Sequence, residues 1–139
     1  MKQAQRLRWS LAALRWSVFV VMAAWTVDKF VRPDHAAKVF EGFYGLAGFG
    51  EAVLLAIGVA EALLLVLFLA GVAKTFTYGA VLVLHAVSTL SSYRQYLAPF
   101  EGPHLLFFAA WPMLAACVTL FLLRDDDTWG TLGSRRQRT

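Results

Sequence analysis

Charge is scarce in this chain. Asp, Glu, Lys and Arg make up 16% of its 139 residues, and 59% are hydrophobic. A water-soluble domain carries about 25% charged and about 45–50% apolar residues, so the composition excludes an ordinary soluble enzyme and marks a single membrane domain. Cysteine is nearly absent as well. Cys117 is the only one, which excludes an intrachain disulfide and a CxxC redox relay. It sits inside an apolar run and reads as a small buried hydrophobe. Histidine is limited to His35, His85 and His104. A closed structural zinc site needs about four ligands, and only Glu61 and His85 fall at a common buried depth, so no metal site is expected. The net charge of +4 does not mark a nucleic-acid binder. The basic residues stand at the ends of apolar segments and in the tails, the pattern of membrane orientation and not of a basic groove.

What is present is long apolar runs. The most informative runs from Glu51 to Lys74, EAVLLAIGVAEALLLVLFLAGVAK. About 20 apolar residues suffice to cross a ~30 Å hydrocarbon core as a helix. Glu61 lies roughly 13 Å into it at ~1.5 Å per residue, near the midplane. An acidic group there costs about 2.5–3.5 kcal/mol on insertion scales. It therefore faces other helices, a polar partner or water. Two readings stand: a proton, ion or ligand site, or a protonated carboxyl tying two helices together.

The first segment covers residues 11–31, after a basic tail at 1–10. Its basic start resembles a signal peptide, but Asp28, Lys29, Phe30 and Arg32 follow instead of a small-residue cleavage site, so a retained helix is expected. Arg15 is expected to snorkel to the near surface. The stretch from Arg32 to Gly50 is too polar to span. DHAAKVFEGFYG within it, behind Pro33 at a helix-starting position, predicts a short interfacial helix; an ordinary surface connection is the alternative. After the second segment, 52–73, a short turn makes an antiparallel hairpin with the third, 75–96.

The third segment carries His85. Counted from the shared turn, His85 lies roughly 14 Å up and Glu61 roughly 18 Å up, so the two can meet directly or through water. His85, Ser88 or Thr89, Ser92 and Tyr96 recur at three- and four-residue steps on one helix face. This stripe either lines a pocket or proton path or supplies interhelical hydrogen bonds. The fourth segment, 104–123, has Trp111-Pro112 as a kink site. His104 begins it at the surface, differing from His85 in depth by roughly 10–15 Å, so one haem cannot take both. In the last stretch, 125–139, a polar tail, Asp125, Asp126 and Asp127 are expected to form a solvated cap, since three consecutive acids cannot all face one ion from a helix.

These readings give an all-α, integral membrane four-helix bundle with a short interfacial helix between helices 1 and 2. Lys2, Arg6, Arg8, Arg15, Lys74, Arg124, Arg135, Arg136 and Arg138 fall on one side; Lys29, Arg32, Lys38 and Arg94 on the other. The positive-inside rule puts both termini in the cytoplasm and the protein in the plasma (inner) membrane. Asp28, Lys29, Arg32, Glu51, Arg94, Glu101 and His104 then rim the outer face, either as a solvated boundary or as a place for a polar ligand or partner.

The first segment ending WTVDKF (Trp25 to Phe30), the glycine-rich FYGLAGFG and the block IGVAEALLLVLFLAG containing Glu61 together resemble the DoxX-like family of small four-helix membrane proteins. The likeness extends from about Leu14 to Arg124. It implies a redox-linked accessory subunit of a membrane oxidoreductase system, with a quinone as the cofactor class, and it carries Lys29 and Glu61 over as site residues. His85, Ser88, Ser92 and Tyr96 come from the chain's own pattern. Partners implied are the lipid bilayer and other membrane proteins or a second copy of the chain, with no nucleic acid. A structural or assembly subunit and a small proton-coupled transporter are the alternatives; the lack of an internal repeat weighs against the last.

Overall fold

The computed structural model describes residues 1–132 and is all-helical, with no strand among the described residues. Helix α1 spans Gln3–Val31, α2 Pro33–Tyr44, α3 Glu51–Leu69, α4 Lys74–Ser91, α5 Tyr93–Leu97 and α6 Ala110–Leu122, with a 3₁₀ segment at His104–Ala109 leading into α6. Three runs are long and apolar enough to cross a membrane: Gln3–Val31, Glu51–Leu69 and His104–Leu122.

The element boundaries follow local chemistry. Pro33 disfavours helical backbone at the residue before it, and Arg32 leaves the helix at φ −135°, ψ 66°. Proline is well suited to start the next helix, so α2 begins at Pro33. The helix expected from DHAAKVFEGFYG is therefore present. Gly45 closes it in the left-handed region at φ 67°, returning its N–H to the Glu41 carbonyl, a closure for which glycine has no Cβ penalty. Residues 45–50 are non-helical. Pro112 has no N–H to give the Phe108 carbonyl, so α-helical bonding is interrupted there; the chain is 3₁₀ up to Ala109 and α-helical after it.

Three boundaries differ from expectation. Helix α1 starts at Gln3, inside the stretch assigned to a basic tail. Helix α3, which covers the expected second span, ends at Leu69, and a turn through Gly71 (φ 65°) and Ala73 (φ 46°) precedes α4. The third segment is not one helix to Tyr96, because the α-helix ends at Ser91 and α5 restarts at Tyr93.

The long helices pack in a ring: α1 on α3, α3 on α4, α4 on α6 and α6 back on α1. Small residues set two of these contacts. A Cβ at Gly58 would lie 2.9 Å from the Phe30 ring, and one at Gly79 would lie 3.3 Å from the Phe121 ring. The buried core takes two residues from each helix: Leu11 and Val18, Leu65 and Phe68, Tyr78 and Val81, Cys117 and Leu120. These come from the start of α1, the end of α3, the start of α4 and the end of α6, so the core sits toward the end of the molecule that carries the Gly71 turn. Cys117 is buried in it as expected.

The chain after α6 folds back over that same end. Leu132 donates its N–H to the Ala70 carbonyl at 2.8 Å. Trp129 packs its ring 4.3 Å from that of Trp9, and Thr131 lies against Gly71. The expectation of a solvated polar tail is corrected here for Asp127, which is 0% exposed.

Candidate functional site

Glu61 of α3 meets α1. Its Oε2 lies 2.8 Å from Lys29 Nζ and 3.2 Å from the Thr26 hydroxyl. The Thr26 hydroxyl also reaches the Met22 carbonyl at 2.9 Å and has a single proton to share between the two. The α1 spacing makes this possible, because Met22, Thr26 and Lys29 lie on one face at steps of four and three. Lys29 spends a second N–H on the Trp25 carbonyl at 3.4 Å. Its ammonium also sits 6.0 Å from the centre of the Phe40 ring of α2, within cation–π range. An ammonium has three protons, so one remains for a further acceptor. The lysine and glutamate side chains are 11% and 20% exposed, which leaves the pair shielded but reachable.

The preceding residue, Asp28, fastens α1 to α2. One of its oxygens takes the Arg32 guanidinium, and the other lies 2.6 Å from His35 Nδ1. Asp28 and Lys29 are both buried. The expected solvated outer rim does not include them. They are drawn inward because each finds an opposite charge on a neighbouring helix or on the α1–α2 break.

His85 is elsewhere. Its Nε2 lies 3.0 Å from the Ala110 carbonyl. A carbonyl only accepts, so Nε2 carries the proton in this contact. Thr89, one turn on, lies 3.3 Å from the same nitrogen and donates to the His85 carbonyl at 2.8 Å. His85 thus ties α4 to α6, whereas Glu61 ties α3 to α1. No direct hydrogen bond or ion pair joins the two among the described residues. Depth counted along two helices leaves open which neighbour each side chain faces, and here the two face different helices.

The polar stripe divides in the same way. Ser92 donates back to the Ser88 carbonyl at 3.0 Å within its own chain turn. Tyr96, past the helix break, packs on Phe108 and Trp111 at 5.4 and 5.5 Å between ring centres. Among the described residues no hydrogen bond or ring contact joins Ser88, Ser92 or Tyr96 to Glu61. A cavity of about 270 Å³ lies instead beside Ser91, Tyr93, Arg94 and Gln95, facing Glu41 and Phe43 of α2.

A second polar cluster was missed. Arg15 is 1% exposed and does not snorkel. It donates to the Trp129 carbonyl at 2.7 Å, with its Nη1 3.6 Å from Asp127 Oδ2. The same carboxylate oxygen accepts from the Tyr78 hydroxyl at 2.7 Å, and Lys74 donates to the Asp127 carbonyl, also at 2.7 Å. Arg15 lies inside an apolar helix, which is itself a signal that a buried arginine needs a carboxylate. The partner is 112 residues later in sequence, so only the return of the chain brings them together. No group of three or more His, Cys, Asp or Glu residues suited to a metal ion occurs among the described residues.

No protein-family model, curated protein or solved structure matches this chain.

Proposed function

We propose that the chain is a DoxX-like four-helix membrane bundle acting as a redox-linked accessory subunit, with the Lys29–Glu61 pair as its polar site. The reading of α4 as a fourth span is supported by how its side chains are distributed. Phe76, Val83, Leu84, Val87 and Leu90 are exposed and apolar, while Thr77, Tyr78 and Thr89 are buried. A helix with polar groups turned inward and hydrocarbon outward suits a bilayer despite its lower overall hydropathy. Both termini then share one side, the cytoplasmic side of the plasma membrane by the distribution of Lys and Arg.

The observation that carries the functional reading is the 2.8 Å Lys29–Glu61 contact with a partly exposed carboxylate. Ionisable groups at membrane depth mark functional pathways by default. The third Lys29 proton is suited to a carbonyl acceptor, and the Phe40 ring, 6.0 Å from the ammonium, supplies apolar surface nearby. A quinone fits that combination of a carbonyl and a flat apolar body. These residues would bind and orient it, and the electron chemistry would be its own. The second reading, a structural or assembly subunit, is favoured by His85, whose proton is committed to an interhelical bond with the Ala110 carbonyl.

The test is purification from native membranes in gentle detergent, with mass spectrometry of co-purifying proteins and extracted small molecules. Enriched quinone or an oxidoreductase partner that is lost in Glu61→Gln supports the redox-linked reading. A partner retained in Glu61→Gln with no quinone supports the structural one.

A further inference from the structure

We propose that the end of the molecule carrying the Gly71 turn holds a binding groove for an anionic phospholipid headgroup. The groove has a volume of about 440 Å³ and is lined by Lys2, Ala4, Gln5, Arg8, Trp9 and Trp129. Four of these come from the first turns of α1, where residues 5 and 9 and residues 4 and 8 share a face by helical spacing, and Lys2 is the extended residue that precedes the helix. The sixth comes from the returning chain, so the groove exists only because that chain folds back.

Its position is fixed from below. Arg15 holds the Trp129 carbonyl at 2.7 Å, and the Trp9 and Trp129 rings contact each other at 4.3 Å. Both indoles remain nearly half exposed, at 45% and 44%. Tryptophan at a membrane boundary settles at headgroup level, where its apolar body meets acyl chains and its N–H meets water. The groove therefore joins an aromatic wall of the kind that faces lipid to two cationic side chains.

Among the described residues this charge enters no ion pair. The ion pairs of the described residues are Arg15–Asp127, Lys29–Glu61 and the two on Asp28. None involves Lys2, Arg6 or Arg8. The one acid buried near the groove, Asp127, is engaged by Arg15 and Tyr78; Asp125 and Asp126 are exposed. Basic pockets at the membrane surface take anionic headgroups through charge-assisted hydrogen bonds to the phosphate. Lys2 and Arg8 would hold the phosphate, Gln5 a neighbouring ester or hydroxyl, and the indoles the upper acyl chain. The inference rests on the membrane reading of the apolar helices and does not depend on which side the termini face.

The full chain in detergent is titrated with phosphatidylglycerol, phosphatidylcholine or inorganic phosphate, and bound adducts are counted by native mass spectrometry. Wild type is expected to prefer phosphatidylglycerol over phosphatidylcholine by at least tenfold. Lys2→Gln with Arg8→Gln should lose that preference, while Arg94→Gln keeps it. Trp129→Ala should weaken phosphatidylglycerol binding with less effect on its charge selectivity. Equal phosphatidylglycerol binding by wild type and the double variant would overturn the proposal. So would inorganic phosphate binding as tightly as the lipid, which would make the ligand a free anion. Extraction of the wild-type chain from membranes by alkaline carbonate would overturn the membrane reading itself, and the headgroup site with it.

Discussion

Lys29 and Glu61 are each costly in an apolar setting and tolerable together. Removing one partner from a buried ion pair leaves the other uncompensated, a loss of about 3–5 kcal/mol when burial is deep, whereas replacing both with apolar residues is often near neutral. The pair here is partly exposed, which places the single loss below that range. Glu61→Ala is expected to lower the thermal unfolding midpoint in detergent, and Lys29→Met with Glu61→Leu to recover most of it. Failure of the double variant to recover would show that the pair is not mutually compensating. The Asp run gives a sharper residue-scale contrast. Asp127 is 0% exposed and bonded to Tyr78, so Asp127→Asn should cost about 3 kcal/mol by stranding Arg15. Exposed substitutions typically stay within about 0.5 kcal/mol, and Asp125→Asn and Asp126→Asn belong to that class. Sequence alone gave three equivalent acids; burial of the third is what separates them.

At the scale of elements, two glycines do different work. Gly58 lets α1 and α3 approach, and the Phe30 ring that a Cβ would meet is 41% exposed and free to swing aside. Gly71 has no such relief. Its φ of 65° disfavours any L side chain, and a Cβ would come within 2.6 Å of Thr131. A non-glycine residue in that region costs about 1–2 kcal/mol from backbone alone. Gly71→Ala is therefore expected to destabilise more than Gly58→Ala and to displace the returning chain. Limited proteolysis should then cut between Asp127 and Leu132 in Gly71→Ala faster than in wild type; equal rates would show that the return does not depend on that turn. Element identity was legible in the apolar runs, in Pro33 and in Pro112. The break at Ser92 was not, because a polar stripe at helical spacing continues through it and the sequence offers no glycine or proline there.

For the whole molecule, the ring of α1, α3, α4 and α6 makes a topological prediction. With Cys117→Ser as background, single cysteines at Gln3, Ala47 and Glu101 report sidedness to a membrane-impermeant maleimide. Four spans with inner termini require Ala47→Cys and Glu101→Cys to label from outside intact cells and Gln3→Cys to label only after lysis. Outside labelling of Ala47→Cys but not Glu101→Cys would mean that α4 does not cross, leaving three spans and termini on opposite sides.

By itself the sequence determined that the chain is helical, that its long runs suit a membrane, and that Glu61 needs a partner. Each follows from local chemistry: hydrophobic length, backbone restrictions at proline, and the cost of burying charge. The tertiary structure decided which partner. Lys29 rather than His85 faces Glu61 because α3 packs on α1 along that side while His85 turns to α6. It also decided that Arg15 and Asp127 are buried together, since only the folded-back chain brings residues so distant in sequence within reach. Depth along a helix can be counted from residues, whereas the face a helix presents is set by the helices around it.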